Sequence, residues 1–316
     1  MKYTLEYLFG MKSLTGKKAL MGTIFHKCQE LRALAGIAER SNKSFFDDDN
    51  FGVVKTKNAI SPDWCLDQAF EYYTKIETHL DLGEKEKKSI KNWVNDVISN
   101  HPNYDIKNLN VIATEQFFDI EIDKPWAKYK EEINGQTIEG NLRIRGTMDC
   151  IVDLGNDTYE LVDYKTGEKL TDFATGEEKN LEYFKNDTQL LLYLIALRTL
   201  WPNKNWILTL FYNNIDGLYS VLGDDDMLYR AWAMLEKMFK SISKCDKPTQ
   251  FNKWNSDWRC KYCCSFSKQF ENTSKTICQH FHDRIQKEGL NKVQNEMINI
   301  NKLMNYQDGG GRKADE

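Results

Sequence analysis

Apolar residues recur at helical spacing in several long segments of the chain. Residues 20–40 carry them at Ile24, Cys28, Leu31 and Ala35, and this spacing predicts a helix. Ser61 followed by Pro62 is typical of an N-cap and a first helical residue, so a second helix is predicted to start there. Further helices are predicted at about 84–99, 181–200, 225–243 and 281–305.

The middle of the chain has patterns that are typical of strands. These patterns cover residues 110–122, 142–154, 159–165 and 205–214. The turn residues GNDT separate the second and third segments, which predicts an antiparallel hairpin. The polar stretch 41–60 and the residues between the first two strands are expected to be irregular. Together these elements predict an α/β chain with a central sheet of mixed order.

Composition narrows the class of protein without identifying it. The chain has 316 residues, 41% of them hydrophobic and 12% aromatic, which is enough for a folded protein with a sizeable core. Its 43 Lys and Arg nearly balance 47 Asp and Glu, so an anionic ligand would need a local basic groove. No run approaches the ~20 apolar residues of a membrane helix, and the first residues lack a signal-peptide core. We therefore expect a cytoplasmic protein without a membrane partner.

The segment YELVDYKTG places Asp163 and Lys165 two residues apart on a predicted strand, so their side chains share one face. Whether Asp149 on the preceding strand reaches Asp163 depends on the hairpin register. A loop with an even number of residues, such as a two-residue turn, would pair Asp149 with Tyr164. An odd loop would place Asp149 directly opposite Asp163, and a shared site requires this second arrangement.

Two adjacent carboxylates repel each other unless a cation lies between them. Their hard oxygen atoms suit Mg²⁺ or Mn²⁺, and a neighbouring lysine can orient water or offset the charge on a phosphate. The alternative is that Asp163 and Lys165 form a surface ion pair while Asp149 belongs to a turn. The residues of this hairpin alone leave both interpretations open.

Four short motifs follow one another along the chain in a familiar order. They are GTIFH at 22–26, GTMD at 146–149, DYKTG at 163–167 and QLLLY at 189–193. This succession resembles the PD-(D/E)XK nuclease superfamily, and within it the RecB-like branch. The resemblance covers about residues 20–215. It implies a restriction-endonuclease-like fold, in which helices flank a central mixed sheet, with a helical insertion and a Cys-containing C-terminal region.

The resemblance also implies roles for individual residues. Asp149 and Asp163 would be the metal-bridging carboxylates, with the backbone carbonyl of Tyr164 as a further ligand. His26 would add a neutral imidazole nitrogen from its helix. Lys165 would position the attacking water. For His26, a hydrogen-bonded core histidine is the alternative.

Further residues join this candidate site from other elements. Glu115 matches the acidic residue on the strand before the hairpin, although Glu121 competes for that role. Gln189 and Tyr193 are four residues apart on a predicted helix, so they share a face that would line the active site. Tyr193 could instead pack in the core. Arg145 is either a substrate contact or an ordinary exposed strand residue.

A Cys/His group lies near the C-terminus. RecB-like enzymes with a [4Fe–4S] cluster, such as AddB and the CRISPR-associated relatives, use one cysteine before the nuclease core and C-x2-C-x5-C after it. This chain departs from that pattern, since position 269 is Gln and no cysteine precedes His26. A Zn²⁺ site, a rearranged [4Fe–4S] site and cysteines packed as small hydrophobes all remain open. The candidate ligands are Cys260, Cys263, Cys264, Cys278, His280 and His282.

Taken together, the resemblance implies a Mg²⁺- or Mn²⁺-dependent DNA nuclease. We expect the protein to be an exonuclease that acts in recombination, repair or phage DNA processing in a bacterial or phage-infected cell. Its partners would be single-stranded DNA or duplex ends, together with a helicase or recombination protein. The alternative is a catalytically inactive subunit that binds nucleic acid or assists assembly on a nuclease scaffold.

The predicted domain organisation has four parts. Residues 1–109 form a helical region with the GxxxH helix, 110–215 the nuclease core, 216–306 the C-terminal helices and Cys/His region, and 307–316 a disordered tail. Within the first part, the lysines of segment 84–91 make the helical region 61–100 a candidate DNA-guiding arm, although charged helix faces are usually only solvated.

Overall fold

A computed structural model describes most of the chain. The residues described are 16–133, 136–167, 171, 176, 178–213, 217–244, 266, 269–270 and 273–297. The chain divides into two compact units, one formed by residues 16–239 and the other by residues 1–15 and 240–316. The predicted boundaries at residues 109, 215 and 306 remain predictions. Among the described residues, no helix combines the length and the apolar character that crossing a bilayer requires.

The first hundred residues of the larger unit are mainly helical. The predicted helices are confirmed, and Ser61 caps the second of them by accepting a hydrogen bond from the N–H of Trp64. The expectation that residues 41–60 are irregular is wrong, because they contain a β-hairpin. Asp48 Oδ1 closes its turn by accepting hydrogen bonds from the N–H groups of Asn50 and Phe51. The elements are α1 (Lys17–Arg40), β1 (Phe45–Asp48), β2 (Gly52–Lys55), α2 (Thr56–Ala59), α3 (Pro62–Ile76) and α4 (Glu84–Asn100).

The remaining elements of this unit build a five-stranded sheet and its helices. They are β3 (Val111–Glu121), β4 (Lys128–Ile133), β5 (Gln136–Asn141), β6 (Arg143–Gly155), β7 (Thr158–Lys165), α5 (Leu181–Phe184), α6 (Thr188–Leu200), β8 (Asn205–Tyr212), β9 (Gly217–Leu222) and α7 (Asp225–Ser243). The strand order is β3-β6-β7-β8-β9, with β7 and β8 parallel and the other neighbours antiparallel. The predicted mixed sheet is therefore confirmed.

Two local predictions in this part of the chain are wrong, and one strand was not predicted. The stretch between β3 and β6 is not irregular but forms the β4–β5 hairpin. The helix expected over 181–200 is interrupted, because the Asp187 side chain accepts the N–H groups of Gln189 and Leu190 and starts α6 there. Strand β9, which completes the sheet, was not predicted.

Helices cover both faces of the sheet. On β7, Leu161 packs in one apolar cluster and its neighbour Val162 in the other, as the alternation of a strand requires. The cluster around Val162 contains Phe25 of α1 and Ile90 of α4. The opposite cluster contains Leu194 of α6 together with residues of α7. The predicted α/β fold, a central mixed sheet flanked by helices, is confirmed.

The β6–β7 hairpin decides the register on which the candidate site depends. Its turn has two residues, Asn156 and Asp157, both with positive φ (49° and 56°). In a regular hairpin such a turn would pair Asp149 with Tyr164. A register shift between Asp153 and Gly155, however, adds one residue to β6. The ladder then pairs Cys150 with Val162. The next position along the strands places Asp149 opposite Asp163.

The smaller unit contains one complete described helix, α8 (Ile277–Glu288). The helix predicted over 281–305 is therefore wrong at its start, and it is also interrupted. Gly289, with φ of 87°, ends α8, and helical conformation resumes over 290–297. The core of this unit includes Phe266, Phe281 and Val293.

Candidate active site

Three acidic side chains lie level with one another on neighbouring strands. Asp149 of β6 and Asp163 of β7 occupy the position after the last pair of their ladder. On the other side of β6, Thr114 pairs with Cys150 and Gln116 with Met148, so Glu115 of β3 lies level with Asp149. Neighbouring strands are about 4.8 Å apart, which brings carboxyl groups from three chain segments into one small region.

Strands β6 and β7 stop pairing through their backbones where the acids lie. Instead, Asp149 Oδ2 accepts the N–H of Tyr164 at 2.8 Å, so a side chain takes the place of a ladder bond. Thr114 Oγ1 donates to the Asp149 carbonyl at 2.9 Å from the other neighbouring strand. Asp149 is thus fixed on both sides before any ligand is present.

Helix α1 brings His26 to this region. Its Nδ1 lies 3.3 Å from Asp149 Oδ2. One ligand atom each from His26, Glu115 and Asp149 lie within 4.8 Å of one another, a spacing that suits a single ion. Asp163 is outside this group of three. Gly22, one turn before His26, lets α1 approach the end of β7, because a Cβ there would lie 3.1 Å from Thr166 Oγ1.

The electrostatics of the group also favour a cation. Burial raises the pKa of Glu115 to about 7, and the negative charge of Asp149 adds to this shift. Burial lowers the pKa of His26, but the hydrogen bond and charge of Asp149 outweigh it and raise the pKa above its usual value. Because a divalent ion would relieve the repulsion between these acids, the residues fit an oxygen- and imidazole-ligated Mg²⁺ or Mn²⁺.

Asp163 belongs to a second set of contacts beside the first. Its side chain is only 2% exposed, and Oδ2 lies 2.5 Å from Lys165 Nζ. Gln189 accepts from Lys165 Nζ at 2.7 Å and donates to Asp163 Oδ1 at 3.2 Å. It also donates to the Tyr193 hydroxyl at 2.7 Å, and that hydroxyl donates to the Thr147 carbonyl at 2.7 Å. Burial raises the pKa of Asp163 to about 7, with the charge of Asp149 as the next cause.

Glu115 has an unusual backbone. Its φ is +46°, in the left-handed region, although it lies inside strand β3. Such a conformation costs a non-glycine residue about 1–3 kcal/mol, and outliers of this kind gather at functional sites. The strain marks Glu115 as a residue whose side chain is held where regular strand geometry would not place it.

The sequence-predicted residues therefore gather in two adjoining sets. His26, Glu115 and Asp149 form one, and Asp163, Lys165, Gln189 and Tyr193 form the other. Tyr164 contributes its N–H to Asp149, while the role expected for its carbonyl stays a prediction. Two residues lie further along the sheet: Glu121 pairs with Arg143 and Arg145 pairs with Asp119.

The C-terminal Cys/His group is only partly described. Cys260, Cys263 and Cys264 lie outside the described residues. Cys278, His280 and His282 lie on α8, where the His280 ring stacks on Phe270 at 4.0 Å between ring centroids and His282 Nδ1 lies 3.5 Å from Asp283. The expected zinc or iron–sulfur site stays a prediction.

The candidate DNA-guiding arm uses several of its lysines internally. Lys87 pairs with Asp67 and Lys91 with Asp63, each at 2.8 Å between α4 and α3. These charges are therefore partly neutralised within the helical layer. The guiding role of this region stays a prediction.

Two contributors to the site were not predicted. The carbonyl of Thr147 receives the Tyr193 hydroxyl, and no sequence signal identifies a backbone acceptor. Glu30 lies one helical turn after His26, pairs with Lys27 at 2.8 Å, and its charge helps to raise the pKa of Glu115. Its spacing of four residues from His26 could have identified it.

Comparison with known proteins gives one match to a family. The family model described as the PD-(D/E)XK nuclease superfamily matches residues 1–268. No curated protein matches the chain. Among solved structures, a "putative exonuclease" from Eubacterium rectale is similar at 13% identity and a TM-score of 0.37, covering 56% of this chain and 62% of that one. The crystal structure of SSO0001 is similar at 15% identity and a TM-score of 0.26, covering 78% and 82%.

Proposed function

Because the chain belongs to the PD-(D/E)XK nuclease superfamily, we propose that it is a Mg²⁺- or Mn²⁺-dependent DNA nuclease of the RecB-like branch. In this proposal it degrades DNA from ends, as an exonuclease in recombination, repair or phage DNA processing in the cytoplasm. The observation that carries the proposal is the junction of the two side-chain sets. A group suited to a cation lies beside a lysine that Asp163 and Gln189 hold in place.

The residues divide the chemical work between them. His26, Glu115 and Asp149 would hold the ion, and Asp163 and the Tyr164 carbonyl would be its further ligands. The bound ion supplies Lewis-acid polarisation of the phosphate and a more acidic water. The Lys165 ammonium orients the attacking water and offsets negative charge on the phosphate. Gln189 and Tyr193 keep Asp163 and Lys165 in position, so little rearrangement is needed during the reaction.

A time course on three labelled substrates tests the proposal. End-labelled single-stranded DNA, blunt duplex and covalently closed circles are incubated with Mg²⁺, Mn²⁺ or EDTA. Mononucleotide or short products from linear DNA, metal dependence and intact circles are expected. Cleavage of circles would assign an endonuclease instead. DNA binding without cleavage under every condition would favour the catalytically inactive subunit.

The cysteine-rich region carries a separate proposal. We propose that Cys260 and Cys263 hold a metal in one of two ways. With two of Cys278, His280 and His282 they would form a Zn²⁺ site. With Cys264 or Cys278 they would form a rearranged or partial [4Fe–4S] site. Elemental analysis of purified protein distinguishes the two metals, and a cluster also gives visible absorbance. Folded protein without either metal would leave these cysteines as packing residues.

Co-purification from host extract tests for a helicase or recombination partner.

A further inference from the structure

The outer part of strands β3 and β6 presents an uncovered face next to the candidate active site. On β6, exposed Arg143, Arg145 and Thr147 alternate with buried Ile144 and Met148. On β3, Phe118 and Ile120 are buried in the same way. The exposed face, called here the open strip, consists of Phe117, Asp119 and Glu121 of β3 paired with Thr147, Arg145 and Arg143 of β6.

The open strip leads directly to the acidic row. Phe117 and Thr147 form the second pair beyond the level of Glu115 and Asp149, about 7 Å along the strands. The Thr147 carbonyl is the acceptor of the Tyr193 hydroxyl. Arg145 and Thr147 also border a cavity of about 560 Å³ that is lined by Phe118 and Ile144 from the opposite face and by Gln189 and Tyr193 of α6. A chain lying on the strip would thus reach the end of the row formed by Glu115 and Asp149, beside His26.

Phe117 is the unusual residue of this strip. It is 58% exposed on the edge strand β3, whereas its neighbour Phe118 is buried. An aromatic ring next to a nuclease site can stack on a base, and stacking needs a base whose face is not already covered by its neighbour. Bases inside a duplex are covered in this way, whereas bases of a single strand can be turned outward.

Arg145 supplies a charge complementary to the backbone of such a strand. Its side chain is 66% exposed, and its Nε lies 2.8 Å from Asp119 Oδ2. Asp119 also binds Arg143 Nε at 2.9 Å, so one carboxylate contacts the Nε atoms of both guanidinium groups, and Arg143 Nη1 pairs with Glu121 at 3.1 Å. Among the described residues, Asp119 is the ion-pair partner of Arg145. This contact uses Nε and leaves the two Nη atoms of Arg145 for a phosphate.

We propose that the open strip binds the single-stranded segment of the DNA next to the scissile phosphate, with Phe117 stacking on an unpaired base and Arg145 contacting a phosphate. The inference rests on the proposed nuclease function and specifies its substrate as unpaired DNA. Base stacking on Phe117 makes the strip selective for single strands. Arg145 makes its affinity dependent on salt.

Binding of labelled DNA with Ca²⁺ in place of Mg²⁺ tests the proposal. Phe117→Ala should weaken binding of a single-stranded oligonucleotide by about 5- to 150-fold, the effect of losing one stacked base. Phe117→Trp should retain binding, and affinity for a blunt duplex should change less than twofold. Tyr229→Ala, which removes a 76% exposed aromatic from α7, is the matched control and should change neither. Thermal unfolding verifies that each variant is folded.

A second variant examines the charge. Arg145→Gln should reduce the slope of log affinity against log salt by about 0.7 on single strands. Unchanged single-strand affinity in Phe117→Ala, or equal losses for single strand and duplex, would overturn the inference. A wild-type dimer that Phe117→Ala dissociates would also overturn it by assigning the strip to a second copy of the chain. Cleavage by the wild type is recorded in parallel: Phe117-dependent binding without cleavage refutes the nuclease function alone.

Discussion

The Lys165→Ala variant tests the chemistry of the candidate site most directly. Lys165 Nζ lies 2.5 Å from Asp163 Oδ2 and 2.7 Å from Gln189 Oε1, so the ammonium is fixed before substrate arrives. Removing one preorganised electrostatic group of this kind slows a reaction by about a hundredfold or more. A hundredfold corresponds to about 2.7 kcal/mol of barrier.

The same structure limits what else the substitution should do. Among the described residues, the hydrogen bonds and ion pairs of His26, Glu115 and Asp149 do not involve Lys165, so the affinity for Mn²⁺ should change less than threefold. Asp163 keeps its contact with Gln189 Nε2 at 3.2 Å, and the metal-free protein should lose about 1–3 kcal/mol of stability for the lost partner of a buried charge. DNA binding should persist.

The assay compares initial cleavage rates of wild type, Lys165→Ala and Lys204→Ala at saturating Mg²⁺. Lys204 is the matched control, because it pairs with Asp157 at the same 2.5 Å and has a similar exposed fraction, 27% against 29%, but lies by the hairpin turn. We expect cleavage by Lys204→Ala to match the wild type. Cleavage by Lys165→Ala within twofold of wild type would show that Lys165 is only a structural partner of Asp163.

Three further predictions concern the acids and the histidine. His26→Ala should weaken Mn²⁺ binding by about tenfold or more, which corresponds to about 1.4 kcal/mol. Calorimetry measures this affinity, and an unchanged value would show that His26 is not a metal ligand. Glu115→Gly should be more stable than Glu115→Ala by about 1 kcal/mol in denaturant unfolding, because only glycine relieves the +46° φ; in a regular strand the order is reversed. The pKa values of Glu115 and Asp163 are raised to about 7, so their protonated forms are favoured in the folded state and metal-free protein should lose stability as pH rises from about 4 through about 7. Melting temperatures of the metal-free protein, measured in EDTA from pH 5 to 8.5, test this trend. A melting temperature that rises across that range would contradict it. The stabilisation by added Mg²⁺ should increase with pH.

The sequence predicted most of the fold because its long elements have strong periodic patterns. Helix α1 and strands β6 and β7 appear where apolar spacing placed them. The β1–β2 hairpin escaped prediction because its four-residue strands are largely polar and its turn depends on the side chain of Asp48. The break before α6 escaped it because the cap at Asp187 lies inside an otherwise continuous helical pattern.

The candidate site was predicted as a set of residues but not as an arrangement. Motif order identified His26, Asp149 and Lys165, but no linear pattern states that Asp163 contacts Lys165 and Gln189 while Asp149 contacts His26 and Tyr164. The left-handed backbone of Glu115 is likewise invisible in sequence, since glutamate rarely adopts it. These features arise from tertiary contacts that outweigh local preference.

The additional residue in β6 near the hairpin turn has a consequence for how this chain can vary in length. Because Gly155 pairs with Thr158 and Asp153 with Tyr159, deleting the one residue between Asp153 and Gly155 would remove the bulge and leave Asp149 opposite Asp163. A regular two-residue turn would then close the hairpin. This end of the hairpin can therefore lose one residue without a change in the alignment of the two aspartates.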